Sequence, residues 1–300
     1  MHTDPARQHG LMLAIAGVFV LSFDALLIRL ADTTGADVAF WRGALILLSA
    51  GTICWFRRRR INWPDTPRLW AFAITAATLY GINSGLFVFS VSHTHVANTV
   101  VILASAPLFA TAISWLLFRE RTPRRTVISI LFAITGVIIV FSASLGQPGQ
   151  LGDLLALILA FGMAAALTLL RRVPDLPRLP LVAGSGLVTA LICWPLADPL
   201  QQTASSYGWL ALMGLIQIPL ATLLIFSATR HLPSPEVSLV LLIETILGPV
   251  WVWWALGEEL PSRTVLGGAF ILGAIAVNSA LSLKKQADLK SAGRYNQTTN

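Results

Sequence analysis

The 300-residue sequence predicts an all-α integral membrane protein with ten transmembrane helices, arranged as two inverted five-helix repeats. Three observations support this fold class: ten apolar stretches of spanning length, an uneven placement of basic residues, and an internal duplication. Hydrophobic residues make up 55% of the chain and charged residues 12%, about half the charged share of a soluble domain. Every loop is short, so no soluble domain is expected.

The apolar stretches are each about 17 to 25 residues long, which is enough to cross a hydrocarbon core as a helix. They cover residues 10–30, 36–55, 70–92, 96–117, 125–142, 151–170, 179–196, 207–229, 236–256 and 264–283. The N-terminal segment MHTDPARQHG leads into the first stretch without a short apolar region and a small-residue cleavage site. The first helix is therefore expected to remain as an anchor.

Basic residues are concentrated on one side of the predicted membrane. With the N-terminus in the cytoplasm, 18 of the 21 Lys and Arg residues fall in cytoplasmic loops or the tail, and only Arg29, Arg42 and Arg263 belong to the outer half. By the positive-inside rule, this asymmetry predicts ten spans with both termini cytoplasmic. The net charge of +7 is assigned to loops that face an anionic leaflet, and no nucleic-acid partner is expected.

The two halves of the chain repeat short patterns in the same order. Matching positions occur at offsets of 142, 139 and 138 residues, and they pair segments 10–29 with 152–171, 53–55 with 192–194, and 120–127 with 258–265. Coincidence in apolar sequence of low complexity is the alternative explanation. A true repeat unit would contain five spans, and an odd number forces the second copy to enter the membrane in the opposite orientation.

This organisation predicts four segments along the chain. They are a cytoplasmic N-terminus at 1–9, a first repeat at 10–142, an inverted second repeat at 143–283 and a disordered cytoplasmic tail at 284–300. Inverted repeats are common in secondary transporters. One sequence pattern in two orientations can give two mirror-related states of similar energy, each open to one side of the membrane.

The repeated turns also carry a family resemblance. The segments FRERTPRRTV (118–127) and LGEELPSRTV (256–265), each followed by a glycine-containing span, resemble the repeated signature of EamA-type carriers in the drug/metabolite transporter superfamily. The chain looks most like the YddG-like exporters of aromatic and other amino acids, although Arg119 stands where a small residue is common. The resemblance implies a bacterial inner-membrane carrier whose central cavity is lined by the third, fourth, eighth and ninth helices.

Acidic residues inside the spans are the first candidates for a binding site. Of fourteen acids, only Asp24 and Glu244 sit well inside a span. A charge at the bilayer centre costs about 2.5–3.5 kcal/mol, so it normally faces a cavity or a partner. Glu244 shares a helical stripe with Gly248 and Trp251, which suits a ligand with an amine and an apolar body. The alternative is pairing with another helix; no Lys or Arg is expected at its depth.

Asp24 is predicted to form an ion pair with Arg42 that ties the first two helices together; alternatively, Arg42 binds a substrate carboxylate.

Pro107, Pro219 and Pro249 lie deep in the fourth, eighth and ninth spans, where each removes a helical hydrogen bond. A carbonyl left free in this way is tolerated only where protein or a water cavity satisfies it. We therefore predict helix breaks beside the cavity, with ordinary packing kinks as the alternative.

Other polar side chains complete the predicted site. Those of the third span share one helical stripe, and all of them could instead be hydrogen-bond links between helices. Gln217 could hold either a ligand or a free carbonyl. The predicted substrate-binding residues are Tyr80, Asn83, Ser84, Asn98, Gln217, Glu244, Gly248 and Trp251.

The predicted function is a secondary transporter that exports amino acids, aromatic and other small amphipathic metabolites included, by alternating access. A drug or quaternary-amine efflux carrier is the alternative within the superfamily. An intramembrane enzyme is disfavoured because HExxH and GxSxG are absent, and no P-loop is present. No charged ring or filter sequence supports a channel.

No cofactor or metal is expected. The expected partners are the lipid bilayer and a small-molecule substrate, and a monomer is favoured.

Overall fold

The structure is a computed structural model, and it describes residues 5–61, 63–119, 124–173, 176–228, 231–232 and 234–298. Within these ranges the regular secondary structure is entirely helical. Ten helical segments of the described chain are long and apolar enough to cross a membrane. The predicted fold class is therefore confirmed.

Five spans come from the first half of the chain. They consist of α1 (Pro5–Leu21) and α2 (Asp24–Leu30), α3 (Gly35–Arg57), α4 (Pro67–His93), α5 (Val96–Ala104) and α6 (Ala106–Phe118), and α7 (Arg124–Ser144). The first and fourth spans are each divided into two helices.

The second half supplies the other five spans. They consist of α8 (Gln150–Arg172), α9 (Arg178–Cys193), α10 (Ala204–Ala211) and α11 (Ile218–Ala228), α12 (Ser234–Leu256) and α13 (Ser262–Thr298). A π-helical segment, Leu212–Gln217, joins α10 to α11. Helix α13 continues to Thr298 where the sequence analysis predicted a disordered tail. The tail contains no proline, and its first half is rich in Lys, Gln, Ala and Leu, which are good helix formers.

Threonine caps set the start of three helices. The side chains of Thr34, Thr66 and Thr203 each accept a hydrogen bond from the backbone N–H three residues later. Such caps satisfy one of the N–H groups that a helix leaves unpaired at its start. Pro67 follows one of these caps at the first position of α4, where a missing N–H has no cost.

Helix packing follows the repeat. The first span packs along the eighth, and the repeat-related sixth span packs along the third. The second and seventh spans, which are repeat-related, pack against each other, as do the fifth and tenth. A two-fold relation between the halves would place these two helix pairs beside its axis.

Glycines make both of these central crossings close. A Cβ on Gly43 would lie 2.6 Å from the Gly186 carbonyl oxygen, and a Cβ on Gly186 would lie 2.7 Å from that of Gly43. Gly136 and Gly267 show the same reciprocal relation between α7 and α13, at 2.6 Å in both directions. Small residues let helix backbones approach within a membrane. The reciprocity is what an axis relating two similar helices produces.

Gly43→Ala is expected to destabilise the protein, because the added methyl group meets the backbone of α9. Overpacking of this kind typically costs about 1–3 kcal/mol. Gly273→Ala is the matched control, since a Cβ there meets nothing within 4 Å. Thermal unfolding in detergent should show a lower midpoint for Gly43→Ala and an unchanged or higher one for Gly273→Ala. Equal midpoints would mean that the α3–α9 crossing is looser than described.

Candidate functional site

The first span is interrupted at Ser22 and Phe23, between α1 and α2. Neither glycine nor proline marks this position, and the sequence analysis did not predict it. The Ser22 hydroxyl donates to the Phe19 carbonyl at 2.7 Å, a local bond that competes with regular helix geometry. Gln217 Nε2 donates to the carbonyls of Val20 and Leu21, both at 3.2 Å. The Gln217 amide therefore bonds to carbonyl groups of the first span. Within the described ranges it does not bond to a carbonyl group of the eighth span, to which it belongs.

Aromatic side chains gather at this interruption. Trp251 Nε1 donates to Ser22 Oγ at 2.9 Å. The Trp251 ring stacks on Phe23, with centroids 4.9 Å apart and planes 12° apart. Phe19 meets the same indole edge-on at 5.9 Å. Gly248 lies one turn before Trp251 beside the Ser22 carbonyl, so the stripe predicted on the ninth span faces the interruption.

A buried ion pair lies at the start of α2. Arg42 Nη1 donates to both carboxylate oxygens of Asp24, at 2.9 and 2.8 Å, and both residues are buried. This is the pair that the sequence analysis placed between the first two spans. The Arg42 guanidinium also lies 5.5 Å from the ring centroid of Phe87 on α4. Three spans therefore meet at Arg42.

Glu244 brings a second carboxyl group to the same region. It interacts electrostatically with both Asp24 and Arg42, so the expectation that no Lys or Arg lies at its depth is wrong. Arg42 bonds to both oxygens of Asp24, and no ion pair within the described residues joins it to Glu244. No hydrogen bond from the described residues reaches Glu244. With all three groups ionised the cluster carries one net negative charge, which favours a proton or a cationic solute.

Asn98 belongs instead to a polar network near the end of the bundle predicted to face outward. Asp153, fully buried near the start of α8, accepts hydrogen bonds from Asn98 Nδ2 at 3.0 and 2.9 Å and from Thr94 Oγ1 at 2.6 Å. Thr264 donates to Asn98 Oδ1. The Asn98 amide therefore links the fourth, sixth and tenth spans.

A second set of bonds ties the same outer end together. Glu258, in the turn after α12, forms an ion pair with Arg29 at 3.0 Å and accepts from the Val96 backbone N–H at 2.7 Å. Arg29 Nη2 also donates to the Thr94 carbonyl at 2.9 Å. These bonds fasten the outer end of α2 to two turns that belong to different repeats.

Tyr80 and Asn83 of the third span face α8 rather than the Ser22 interruption. Tyr80 packs among apolar side chains of α8 and α9, and the Asn83 amide lies over Gly162 of α8. Ser84 beside them is half-buried. Among the described residues, the buried Asn83 Nδ2 and Gln217 Oε1 have no hydrogen-bond partner. Leaving such an atom unpaired costs about 1–3 kcal/mol, which makes both side chains candidates for contact with a solute or water.

Pro107 and Pro219 each lie just after a change in helix geometry within their spans, whereas the ninth span passes through Pro249 as one helix. The fourth span breaks at Ser105, and Pro107 lies in the first turn of α6. Pro219 lies in the first turn of α11, directly after the π-helical segment. Helix α12 passes through Pro249 unbroken. Pro219 also lines an apolar pocket between α3, α9 and α11, in the half of the bundle opposite the outer network.

Comparison with known proteins identifies the class of protein that this ten-helix bundle represents, a membrane transporter. Residues 8–142 and 150–280 each match the model of the EamA-like transporter family, one match in each five-span half. The chain belongs to this family. The family predicted from the repeated turns is confirmed, and the YddG-like subtype stays a prediction.

Individual relatives carry transporter names. The chain is 24% identical over 268 residues to an uncharacterized transporter of Clostridium kluyveri, covering 84% of this chain and 85% of that protein. It is 24% identical over 273 residues to the uncharacterized transporter YwfM of Bacillus subtilis, covering 86% and 90%. A protein of known crystal structure shares the fold, with a TM-score of 0.61 at 17% identity, covering 91% of this chain and 96% of that one.

Proposed function

We propose that this transporter exports amino acids and related small amphipathic amines across the bacterial inner membrane by alternating access. The observation that carries the proposal is the Glu244 carboxyl, which accepts no hydrogen bond from the described residues and lies on the same stripe of α12 as Trp251. A carboxylate held in this way can bind an ammonium group through charge-assisted hydrogen bonds. The Trp251–Phe23 stack offers an apolar surface for the rest of the solute.

Arg42 favours amino acids over simple amines. Its Nη1 is bonded to Asp24, but its buried Nε has no hydrogen-bond partner in the part of the chain that the structure describes. An α-amino acid brings a carboxylate that can accept from this N–H while its ammonium group binds Glu244. A quaternary amine could use only the aromatic faces and the negative charge, and it would leave the Arg42 N–H unpaired.

The outer end supports the alternating-access part of the proposal. Arg29–Glu258 and the Asp153 network join the outer ends of several spans. The apolar pocket beside Pro219 lies in the opposite half. Helix α2 connects the interruption at Ser22 to the ion pair at Arg29, so it links the candidate site directly to the outer network. The inverted repeat provides a mirror-related state.

The orientation in the membrane is part of the proposal and has its own test. In a variant without the native cysteines (Cys54→Ala, Cys193→Ala), a cysteine at the exposed position Asp65 should react with an impermeant reagent only from the cytoplasmic side. A cysteine at the exposed position Gln147 should react only from outside. Reaction of both from one side would contradict the predicted topology and with it the inverted repeat.

Counterflow in proteoliposomes tests the substrate class. Vesicles loaded with unlabelled phenylalanine should accumulate labelled phenylalanine, whereas phenethylamine, which lacks the carboxylate, should exchange more weakly. Tetraethylammonium and a nucleoside complete the set, and vesicles without protein give the background. Exchange of tetraethylammonium without phenylalanine would replace the proposal with drug or quaternary-amine efflux.

A further inference from the structure

We propose that residues at the junction of the second and third spans form a binding site for an anionic membrane phospholipid. The site, here called the Arg–Trp corner, lies at the end of the bundle predicted to face the cytoplasm. It is independent of the transported solute. The corner consists of Trp55, Arg57, Arg58, Arg59, Trp63, Arg68 and Trp70.

Hydrogen bonding and stacking hold the corner in a defined shape. Helix α3 ends at Arg57 and passes into a 3₁₀ turn, Arg58–Arg60. The Trp63 indole N–H donates to the Arg58 carbonyl at 3.2 Å. Trp63 in turn stacks on Trp70 of α4, with ring centroids 6.1 Å apart and planes 16° apart. The turn that carries the arginines is thereby attached to the next span through two tryptophans.

The positive charge of the corner is not neutralised by the described residues. Arg57, Arg58, Arg59 and Arg68 are exposed, and none of the ion pairs within the described ranges involves them. The one acid between these arginines along the chain is Asp65, which is also exposed. An arginine fork matches the geometry of a phosphate and can bind it through two parallel N–H bonds.

Aromatic contacts orient two of these guanidinium groups. The Arg58 guanidinium lies 4.6 Å from the centroid of the Trp55 ring, and that of Arg68 lies 5.9 Å from the centroid of Phe72. A guanidinium stacked on a ring face still has its N–H groups at its edge. The charged edges therefore stay available to an anion.

Exposed apolar side chains next to the arginines identify the anion as a lipid. Phe56 is 82% exposed, Trp55 66% and Ile74 62%, and Ile74 lies one helical turn into the membrane from Trp70. A headgroup phosphate can meet the guanidinium groups while acyl chains cover these apolar side chains. Free phosphate or a nucleic acid would leave the apolar surface bare, whereas tryptophan and arginine together are typical of the membrane interface.

The corner differs in composition from the other large basic segment of the cytoplasmic side. Residues 284–294 supply Lys284, Lys285, Lys290 and Arg294, with no Trp or Phe in the tail. The tail therefore offers charge without tryptophan, and Tyr295 is its one aromatic residue. Its three lysines provide a matched control for charge removal.

Native mass spectrometry of the purified full chain with phosphatidylglycerol, and with phosphatidylcholine for comparison, tests the site. Arg57→Gln, Arg58→Gln and Arg59→Gln in one variant should weaken phosphatidylglycerol binding by about fivefold per charge removed. Lys284→Gln, Lys285→Gln and Lys290→Gln in a second variant remove the same charge and should weaken binding much less, because the tail carries no tryptophan and a lysine lacks the guanidinium fork that matches a phosphate. Trp63→Leu keeps every charge and should still weaken binding severalfold.

Three results would overturn the proposal. Equal loss in the two triple variants would mean that binding is only diffuse attraction to a basic surface. Unchanged binding in Trp63→Leu would remove the aromatic platform from the site. Displacement of the lipid from the wild-type chain by glycerophosphoglycerol, the headgroup without acyl chains, or by inorganic phosphate would show a phosphate site rather than a lipid site. This last comparison needs no variant, so it decides the question even where a substitution impairs folding.

Discussion

Transport of amine-bearing solutes should fall by about tenfold to a hundredfold when Glu244 is replaced by glutamine. The substitution keeps the size of the side chain and removes its charge. A hydrogen bond to a charged partner contributes about 1.5–3 kcal/mol, which corresponds to this range of affinity. Initial rates of phenylalanine counterflow, normalised to the amount of folded protein in the vesicles, are the measurement.

The same substitution at Glu259 is the control, because Glu259 is exposed in the turn after α12. Glu259→Gln should transport like the wild type. If Glu244→Gln also transports like the wild type, Glu244 is a structural residue and the proposed binding mode is wrong. A loss of folded protein in Glu244→Gln alone would likewise assign Glu244 to packing.

Glu244 admits two mechanisms that a pH measurement separates. In the first, the carboxyl group alternates between a proton and the substrate ammonium group, which gives proton-for-substrate antiport. In the second, it only orients the ammonium group, and the substrate gradient drives export. We favour the second for an exporter that works down a cytoplasmic excess. Only the first mechanism predicts that protons cross the membrane in the direction opposite to the substrate. Substrate uptake would then change the internal pH of lightly buffered vesicles.

The spans could be predicted from sequence because the bilayer imposes their length and requires every backbone group to be bonded within them. The second stretch, for example, was predicted at 36–55, and α3 covers Gly35–Arg57. The interruption at Ser22 could not be predicted in the same way. It carries no glycine or proline, and the bonds around it come from Gln217 and Trp251, in the other repeat.

The candidate site shows the same difference between local relations, which the sequence predicts, and contacts between distant helices, which it does not. Helical periodicity predicts that Glu244, Gly248 and Trp251 lie on one stripe of the ninth span, because that relation is local. It could not show which helix faces a stripe. Asn98 was grouped with the cavity, but the structure bonds it to Asp153 and to a residue of the tenth span. Asp153 was overlooked because it lies at the edge of an apolar stretch, where an acid normally faces water.

Asp24→Asn is expected to have the largest effect on stability. Arg42 is buried, and its Nη1 bonds to both oxygens of Asp24. The neutral amide would remove the carboxylate that is hydrogen-bonded to this buried guanidinium, and breaking a buried pair in this way typically costs about 3–5 kcal/mol. Thermal unfolding in detergent should therefore show a much lower midpoint for Asp24→Asn than for the wild type.

The double variant Asp24→Asn with Arg42→Gln separates charge from packing. Removing both charges should restore much of the stability lost in the single variant, since a neutral pair needs no buried counter-charge. A double variant as unstable as the single one would mean that shape, not charge, is lost.

In Asp24→Asn, Glu244 is the remaining carboxyl group that interacts with Arg42, so the guanidinium should compete with the substrate ammonium group for it. Folded Asp24→Asn protein should therefore transport phenylalanine more slowly than wild type, and unchanged transport would mean that Arg42 and Glu244 act independently.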